Sequence, residues 1–396
     1  MASIDVPRFH AGRLVRIGGL VGVLGLAGTV VGYVVAPAVA LGAWLTAFCF
    51  AVSLALGALL FLTIGYALGA KWPTVVRRLT EAVAAVFPVL VVAFIPLVLG
   101  AGLLYPWVSP SPAAEAHVRE LFEHKAPYLN LPGFALRGLA YFALWIGVSQ
   151  LLVRASFASD EEPGPEGRRS SAATISAAAL PLLALSLTFA SVDWLMSLDP
   201  TWYSSMFGVY YFAGGFVGAL GLLGVLTWWI RRDPRVRVVI STSHFHALGR
   251  LILGFCIFWA YIAFFQAMLI QIADKPEEVP FYLRRIDGGW ATLTAAIAVG
   301  RFALPFFVLL PRAAKHRPGV VAGIGALTVI CHYLDVFWLV GPAASPQPWP
   351  GLIHLAAVVG LGGVAAAYAG WRLQGRLVVP AGDPVISDAI AYRSPL

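Results

Sequence analysis

The stretch SVDWLMSLDPTWYSSMFGVYYFAGG, residues 191–215, lies between two long apolar runs and decides how the chain folds. Asp199-Pro200 ends the first run, because the residue before a proline disfavours helical backbone. The Trp and Tyr side chains around this point are typical of a membrane–water interface, where they anchor helix ends. The stretch therefore predicts two membrane-spanning helices joined by a turn at a membrane surface. Anchoring does not account for Asp193, a carboxylate inside the end of the first run.

The composition of the whole chain also indicates that most of it lies in the lipid bilayer. The 396 residues are 60% hydrophobic and 12% charged, whereas a soluble protein carries about 25% charged residues. A helix needs about 20 apolar residues to cross a bilayer, and helices are expected because unpaired backbone groups are costly in lipid. We predict an all-α integral membrane protein forming one polytopic domain, residues 1–396, with ten transmembrane helices. The predicted spans are 15–36, 39–69, 80–105, 133–155, 173–198, 205–230, 246–272, 290–311, 319–341 and 350–372.

The distribution of basic residues predicts the orientation of these spans. Of the 27 Lys and Arg residues, nineteen fall on the side of the N-terminus, five on the opposite side and three inside spans. Positive residues concentrate on the cytoplasmic side of membrane proteins, so we predict that both termini are cytoplasmic. The same distribution argues against nucleic-acid binding, because the basic residues are spread over several short segments at a membrane face.

Six ionisable residues in the predicted spans are candidates for a proton path, because such groups usually face a partner or an aqueous route. His332 and Asp335 share one face of span nine, since they are three residues apart. A static ion pair between Asp335 and Arg301, holding spans eight and nine together, is an open alternative. Snorkelling to the interface is the simpler explanation for the two candidates near the inner end of span seven. The candidate residues are Asp193, His246, Arg250, Arg301, His332 and Asp335.

The segment between spans seven and eight, ADKPEEVPFYLRRIDGGW, mixes acids, bases, prolines and aromatics. We expect it to dock a partner through Pro276, Glu277, Glu278, Tyr282, Arg284 and Arg285. The three cysteines lie in apolar runs without metal-ligand spacing, and His332 and His354 lie at different depths, which argues against a bis-histidine haem. We therefore expect no metal, no redox cofactor and no catalytic residue in this chain.

Three blocks of the sequence resemble the ActF-type membrane subunit of bacterial alternative complex III. They are SVDWLMSLDPTWYSSMFGVYYFAGGFVGALGLL from Ser191, HFHALGRLILGFCIFWAYIAFFQAMLIQIADKPEEVPFYLRR from His244, and GRFALPFFVLLPRAAKHRPGVVAGIGALTVICHYLDVFWLVGP from Gly300. Together they cover most of residues 173–342. One departure is HALGR at 246–250, where the family pattern has an acidic residue after the histidine and usually Lys in place of Arg.

The resemblance implies a fold and a role. ActF-type chains belong with the NrfD/polysulfide-reductase membrane subunits, which have two four-helix bundles and a flanking helix pair. The complex is a quinol:electron-acceptor oxidoreductase of the bacterial inner membrane, in which the ActC-type subunit oxidises quinol. Iron–sulfur clusters and haem c belong to an iron–sulfur subunit and a multihaem cytochrome c subunit. The resemblance implies a structural and proton-conducting role for this chain, and it carries over Asp193, His246, His332 and Asp335.

Two other functions stay open at the level of the sequence. The chain could bind quinol itself, with Asp193 and the neighbouring aromatic residues forming a pocket at the outer side. It could also be a secondary transporter that works alone. Transporters often show helices interrupted by Gly or Pro at matched positions near the midplane, whereas the prolines of this chain are scattered.

Overall fold

Ten long apolar helices run through the computed structural model, which describes residues 6–112, 116–161, 166–276, 278–345 and 347–394. Each is long and apolar enough to cross a membrane, so the chain has the architecture of a polytopic helical membrane protein. We number them span one to span ten. Their bounds are Gly12–Val35, Pro37–Ala67, Trp72–Leu99, Leu131–Glu161, Arg169–Leu198, Phe207–Ile230, Thr242–Ala273, Gly288–Leu309, Pro318–Ala344 and Leu352–Leu373.

The ten spans predicted from the sequence are confirmed, and one boundary shift matters for the site. Span three begins at Trp72 instead of residue 80, because a 3₁₀ turn, Trp72–Val76, leads directly into the helix Arg77–Ala84. Arg77 and Arg78, which precede the predicted span 80–105, are therefore buried within the helix. The three cysteines are buried and unpaired, as expected for small apolar side chains.

The spans pack as two four-helix bundles and a flanking pair. Spans two to five form the first bundle and spans six to nine the second, each closing as a ring of neighbouring helices. Span two and span six lie at the junction and cross closely, because Gly215 faces Ser53 and a Cβ at Gly215 would lie 2.8 Å from the Ser53 Cβ. Span one packs mainly on span ten, beside the first bundle.

Glycines let spans one and ten approach each other. A Cβ on Gly25 would lie 2.3 Å from the backbone nitrogen of Gly360, and one on Gly22 would lie 2.8 Å from that of Val364. Small residues drive such contacts because helices in lipid associate through close van der Waals packing. The opposite face of span one carries exposed apolar side chains, including Leu20 and Val34, which suit contact with lipid.

Several short helices connect the spans or interrupt them. Span three is interrupted between Arg77–Ala84 and Phe87–Leu99, and span eight contains a π-helical turn, Val299–Ala303, between Gly288–Ala298 and Leu304–Leu309. The connecting and terminal helices are Ala101–Leu104, Ala116–Lys125, Met196–Leu198, Pro234–Val239, Val279–Ile286, Arg312–Lys315 and Ile386–Ala391.

The N-terminal and C-terminal segments of the described chain lie on one face, which we call the termini face. Phe9 N–H donates to Arg376 O at 2.8 Å, and Gly375 N–H donates to Phe9 O at 3.0 Å. These bonds flank a bridge between Arg8 and Leu377, the one β-pairing among the described residues. From there the C-terminal tail, residues 374–394, crosses the termini face and buries Val379 and Ala389.

Candidate functional site

Span eight and span nine place a buried arginine, a histidine and an aspartate together in the second bundle. Arg301 Nη1 lies 3.0 Å from Asp335 Oδ2 and 3.1 Å from His332 Nδ1. All three side chains are almost fully buried. Arg301 belongs to the π-helical turn of span eight, and such turns recur at functional sites in helices. The structure therefore brings together three of the six residues predicted from the sequence.

The hydrogen bonds of His332 fix which ring nitrogen carries its proton. A guanidinium can only donate, so His332 Nδ1 accepts from Arg301 and the proton of the neutral ring sits on Nε2. His332 Nε2 lies 2.6 Å from Ser53 Oγ, which donates in turn to Phe50 O at 2.8 Å. A polar chain therefore runs from span eight through span nine to span two, and it links the two bundles.

Asp335 has a second partner, the Tyr210 hydroxyl of span six, which donates to Oδ1. We call Ser53, Tyr210, Arg301, His332 and Asp335 the second-bundle network. Sequence reasoning missed Ser53 and Tyr210, because a serine or a tyrosine in a span carries no charge that marks it. Only the packing of spans two and six against span nine identifies them.

Two glycines of span six make room for this network. A Cβ on Gly214 would lie 2.9 Å from Arg301 Nη2, and one on Gly218 would lie 2.9 Å from His332 Cδ2. The indole ring of Trp259 closes the other side, with its centroid 4.6 Å from Arg301 Cζ. The guanidinium is thus held between a glycine face and an aromatic face, a geometry that favours a cation.

Asp193 lies in a separate site in the first bundle. Arg137 of span four holds it through two bonds, Nε to Oδ2 at 2.9 Å and Nη2 to Oδ1 at 2.8 Å, and the Tyr141 hydroxyl donates to Oδ2 at 2.8 Å. Asp193 is fully buried, whereas the Arg137 side chain is 23% exposed. Arg137 and Tyr141 were not predicted as site residues, although their i, i+4 spacing puts both on one face of span four.

The two sites correspond across the bundles. In each bundle an arginine from the third helix meets an aspartate from the fourth, Arg137 with Asp193 and Arg301 with Asp335. They differ in depth, because span nine continues through Pro342 to Ala344. At 1.5 Å of rise per residue, Asp335 lies about 14 Å from the end of its span that is opposite the termini face, and Asp193 lies about 8 Å from the corresponding end of its own span.

His246 and Arg250 lie apart from both sites, near the termini face. His246 Nδ1 is 2.5 Å from Ser394 Oγ of the C-terminal tail, and its ring stacks on His316 with centroids 4.4 Å apart. Arg250 is exposed, as the snorkelling alternative expects. Helix rise separates His246 from His332 by about 15 Å along the membrane normal, so the predicted residues form three groups instead of one path.

A buried ionic cluster on the termini face was missed at the sequence level. Arg77 Nη1 lies 2.5 Å from Asp383 Oδ2, and Arg78 Nη1 lies 2.8 Å from Glu81 Oε2 and pairs with Asp160 through Nη2. The i, i+3 and i, i+4 spacing from Arg78 and Arg77 to Glu81 is the sequence signal for it. Burial alone would raise the pKa of the Asp383 carboxyl, but Arg77, the N–H of residue 385 and Arg169 outweigh it and hold that pKa below its usual value.

The segment predicted to dock a partner is only partly a surface. Pro276 and Arg284 are exposed, Glu278 and Tyr282 are half-buried, and Glu277 lies outside the described residues. Arg284 forms an ion pair with Asp199 of the turn between spans five and six.

Arg285 differs from the rest of that segment because it is buried, 3% exposed. Its Nε donates to Trp338 O at 3.0 Å and its Nη2 to Leu339 O at 2.9 Å. Pro342 has no N–H, so the helix cannot satisfy Trp338 O itself. Arg285 therefore caps the C-terminal end of span nine, and its side chain does not belong to an exposed docking surface.

Two cavities open beside the turn between spans five and six. The larger has a volume of about 980 Å³ and is lined by Tyr128, Ser197 and Trp202 among others. It adjoins the Asp193 site, since Ser197 Oγ donates to Asp193 O at 2.5 Å and Arg137 Nη1 donates to Tyr128 O at 2.9 Å. Burial, together with the charge of Asp193, raises the pKa of Tyr128 to about 12.

The smaller cavity, of about 310 Å³, lies between the two bundles at their ends opposite the termini face. Arg284, Arg285 and Asp199 contribute its charged walls. Among the described residues, no group of three or more His, Cys, Asp or Glu side chains is arranged to hold a metal ion.

Comparison with known proteins does not assign the chain to a family. No family model matches the sequence, and no curated protein matches it.

Proposed function

We propose that this chain is the ActF-type membrane subunit of an alternative complex III, a quinol:electron-acceptor oxidoreductase. It has a structural and proton-conducting role and carries no redox cofactor of its own. Quinol oxidation belongs to an ActC-type subunit, and electrons pass through iron–sulfur and multihaem cytochrome c subunits to cytochrome c or a similar carrier. Both termini are cytoplasmic, and the membrane is the bacterial inner membrane, in keeping with the distribution of Lys and Arg.

The observation that carries this proposal is the repeated Arg–Asp pair. Arg137–Asp193 and Arg301–Asp335 occupy corresponding helices of two four-helix bundles, four spans apart. That arrangement fits the two-bundle plan of the NrfD/polysulfide-reductase subunits, with spans one and ten as the flanking pair. Buried ion pairs are expensive in a membrane, and they usually mark a route for ions or protons.

We assign the proton-conducting role to the second-bundle network. Asp335 accepts from both Tyr210 and Arg301, and His332 continues the chain of hydrogen bonds to Ser53. Tyr210, Asp335, His332 and Ser53 can each exchange a proton along a hydrogen bond, whereas Arg301 stays charged and holds Asp335 and His332 in place. The Asp193 site supports a route to the outer face, because the Arg137 side chain is partly exposed there.

The test is purification from native membranes in mild detergent, with mass spectrometry of every protein that stays bound. We expect iron–sulfur and multihaem cytochrome c subunits to co-purify, together with quinol-dependent reduction of an electron acceptor. A chain that stays folded and active in transport without any other subunit would contradict the proposal and favour a secondary transporter.

Quinol binding by this chain is a second candidate, favoured by the cavity of about 980 Å³. Cavities of this size, with mostly apolar walls and a few polar groups, suit ligands as large as a quinone head group. Tyr128 and Ser197 connect it to the Arg137–Asp193 pair. A photoreactive quinone analogue should then label the residues that line the cavity, and labelling confined to other subunits would eliminate this candidate.

A further inference from the structure

The cavity of about 310 Å³ lies at the junction of the two bundles, near the face opposite the termini. Leu104, Leu195 and Leu198 line it and are buried, the first in the short helix after span three and the other two at the end of span five. Pro106 and Arg284, which are exposed, also line it and belong to segments between spans. The cavity is therefore entered from the water side, at the junction of the two bundles.

Arg285 contributes a buried guanidinium to this cavity. Its Nε, Nη1 and Nη2 donate to Trp338 O, Phe281 O and Leu339 O at 3.0, 2.7 and 2.9 Å. A guanidinium has five N–H groups, so two remain after these bonds. Within the described part of the chain, no carboxylate forms an ion pair with it. Burial, with the neighbouring charge of Arg284, lowers the pKa of Arg285 to about 9.

The residues that line the cavity carry two positive charges and one negative charge. Asp199 is the one carboxylate among the lining residues, and it is already engaged, since Arg284 pairs with it and Thr201 Oγ1 donates to its Oδ1 at 2.7 Å. Two guanidiniums thus face one carboxylate, and one of them, that of Arg285, is buried. A buried cation without a counter-ion is unfavourable, and an anion that entered the cavity would remove this cost.

We infer that the cavity binds a carboxylate side chain of a protein that docks on the face opposite the termini. A carboxylate can accept two parallel N–H bonds from a guanidinium, and the cavity opens towards water instead of lipid. This inference rests on the proposed function, which supplies a partner subunit on that face. The inferred docking contact is therefore the cavity behind the segment 276–285 and not the exposed part of that segment.

Ala343 allows a direct test, because it lines the cavity one helical turn beyond Leu339, whose carbonyl Arg285 contacts. Ala343→Glu places a carboxylate from the chain itself beside the two guanidiniums, and Ala343→Gln is the control of the same shape. Glutamate is otherwise disfavoured at a helix C-terminus. We expect Ala343→Glu to unfold at a higher temperature than Ala343→Gln when each chain is purified alone in detergent.

The same two variants test whether a partner subunit fills the cavity. Ala343→Glu should weaken retention of the docked outer subunit by about thirtyfold, because the site is already filled. Ala343→Gln should keep that subunit. Equal midpoints of thermal unfolding for the two variants would overturn the inference, since no missing anion would then be supplied.

Mass spectrometry of the lipids extracted from the same samples distinguishes a protein carboxylate from a lipid phosphate as the bound anion. If Ala343→Glu loses a bound anionic phospholipid but keeps every protein partner, a lipid phosphate fills the cavity and the inferred protein contact is refuted. The midpoints are measured on the isolated chain, so this test does not depend on whether the wild-type chain brings down oxidoreductase subunits. Failure of the proposed function would show only in that separate purification.

Discussion

Replacing Asp335 by asparagine tests whether the second-bundle network conducts protons or only holds helices together. The change keeps the shape of the side chain and leaves an amide oxygen that can still accept from Tyr210. It removes the charge that balances Arg301, whose side chain has no exposed surface. The variant therefore isolates the electrostatic contribution of one carboxylate.

The size of the effect follows from the distance between the charges. At 3.0 Å and an effective dielectric constant of about 20, the attraction is about 5–6 kcal/mol. Removing one partner of a buried pair costs about 3–5 kcal/mol, because the other charge is left without compensation. We therefore expect the free energy of unfolding of Asp335→Asn to be about 3–5 kcal/mol lower than that of the wild type. Denaturant titration of the purified chain, followed by tryptophan fluorescence, measures this difference.

The double variant Arg301→Gln with Asp335→Asn separates the two interpretations. It removes both charges, so the lost stability should largely return, because a buried ion pair contributes little net stability. If the network conducts protons, proton release per electron in the assembled complex stays low in both variants. A double variant that restores stability and proton release together would show a static pair. A single variant as stable as the wild type would refute the electrostatic reasoning itself.

Three other changes test the packing and the tail. Gly214→Ala puts a Cβ 2.9 Å from the guanidinium of the second-bundle network, so we expect a loss of about 1–3 kcal/mol in unfolding free energy, whereas Gly254→Ala, which meets nothing within 4 Å, should be tolerated. Gly25→Leu should lower the thermal midpoint by separating spans one and ten, while Gly19→Leu, with open space around it, should leave the midpoint unchanged. Asp383 has a lowered pKa, so its contribution is present above the unfolded value of about 3.9 and is lost as pH falls through the folded pKa. Asp383→Asn should therefore cost about 3 kcal/mol at neutral pH and flatten the loss of stability on acidification, and an unchanged pH profile would contradict this.

The site was predictable only where a charge lies deep inside an apolar run. Arg301 and Asp335 were found in this way, and their pairing was one of the two alternatives that the sequence left open. Arg137 was visible as a charge in a span, but its pairing with Asp193 was not predicted. Arg285 was taken for a surface residue, because its role as a cap depends on a proline in another span.

The number of spans, their approximate bounds and the return of both ends to one face could be predicted from the sequence alone. Each span depends only on the apolarity of about 20 consecutive residues. The return of both ends to one face then follows from the even number of spans. The tertiary structure alone decided which polar groups meet. Ser53 contacts His332 from 279 residues away, and Asp383 reaches Arg77 across 306 residues. Such contacts depend on how each helix is rotated and shifted against its neighbours, and the hydropathy of the sequence does not specify either.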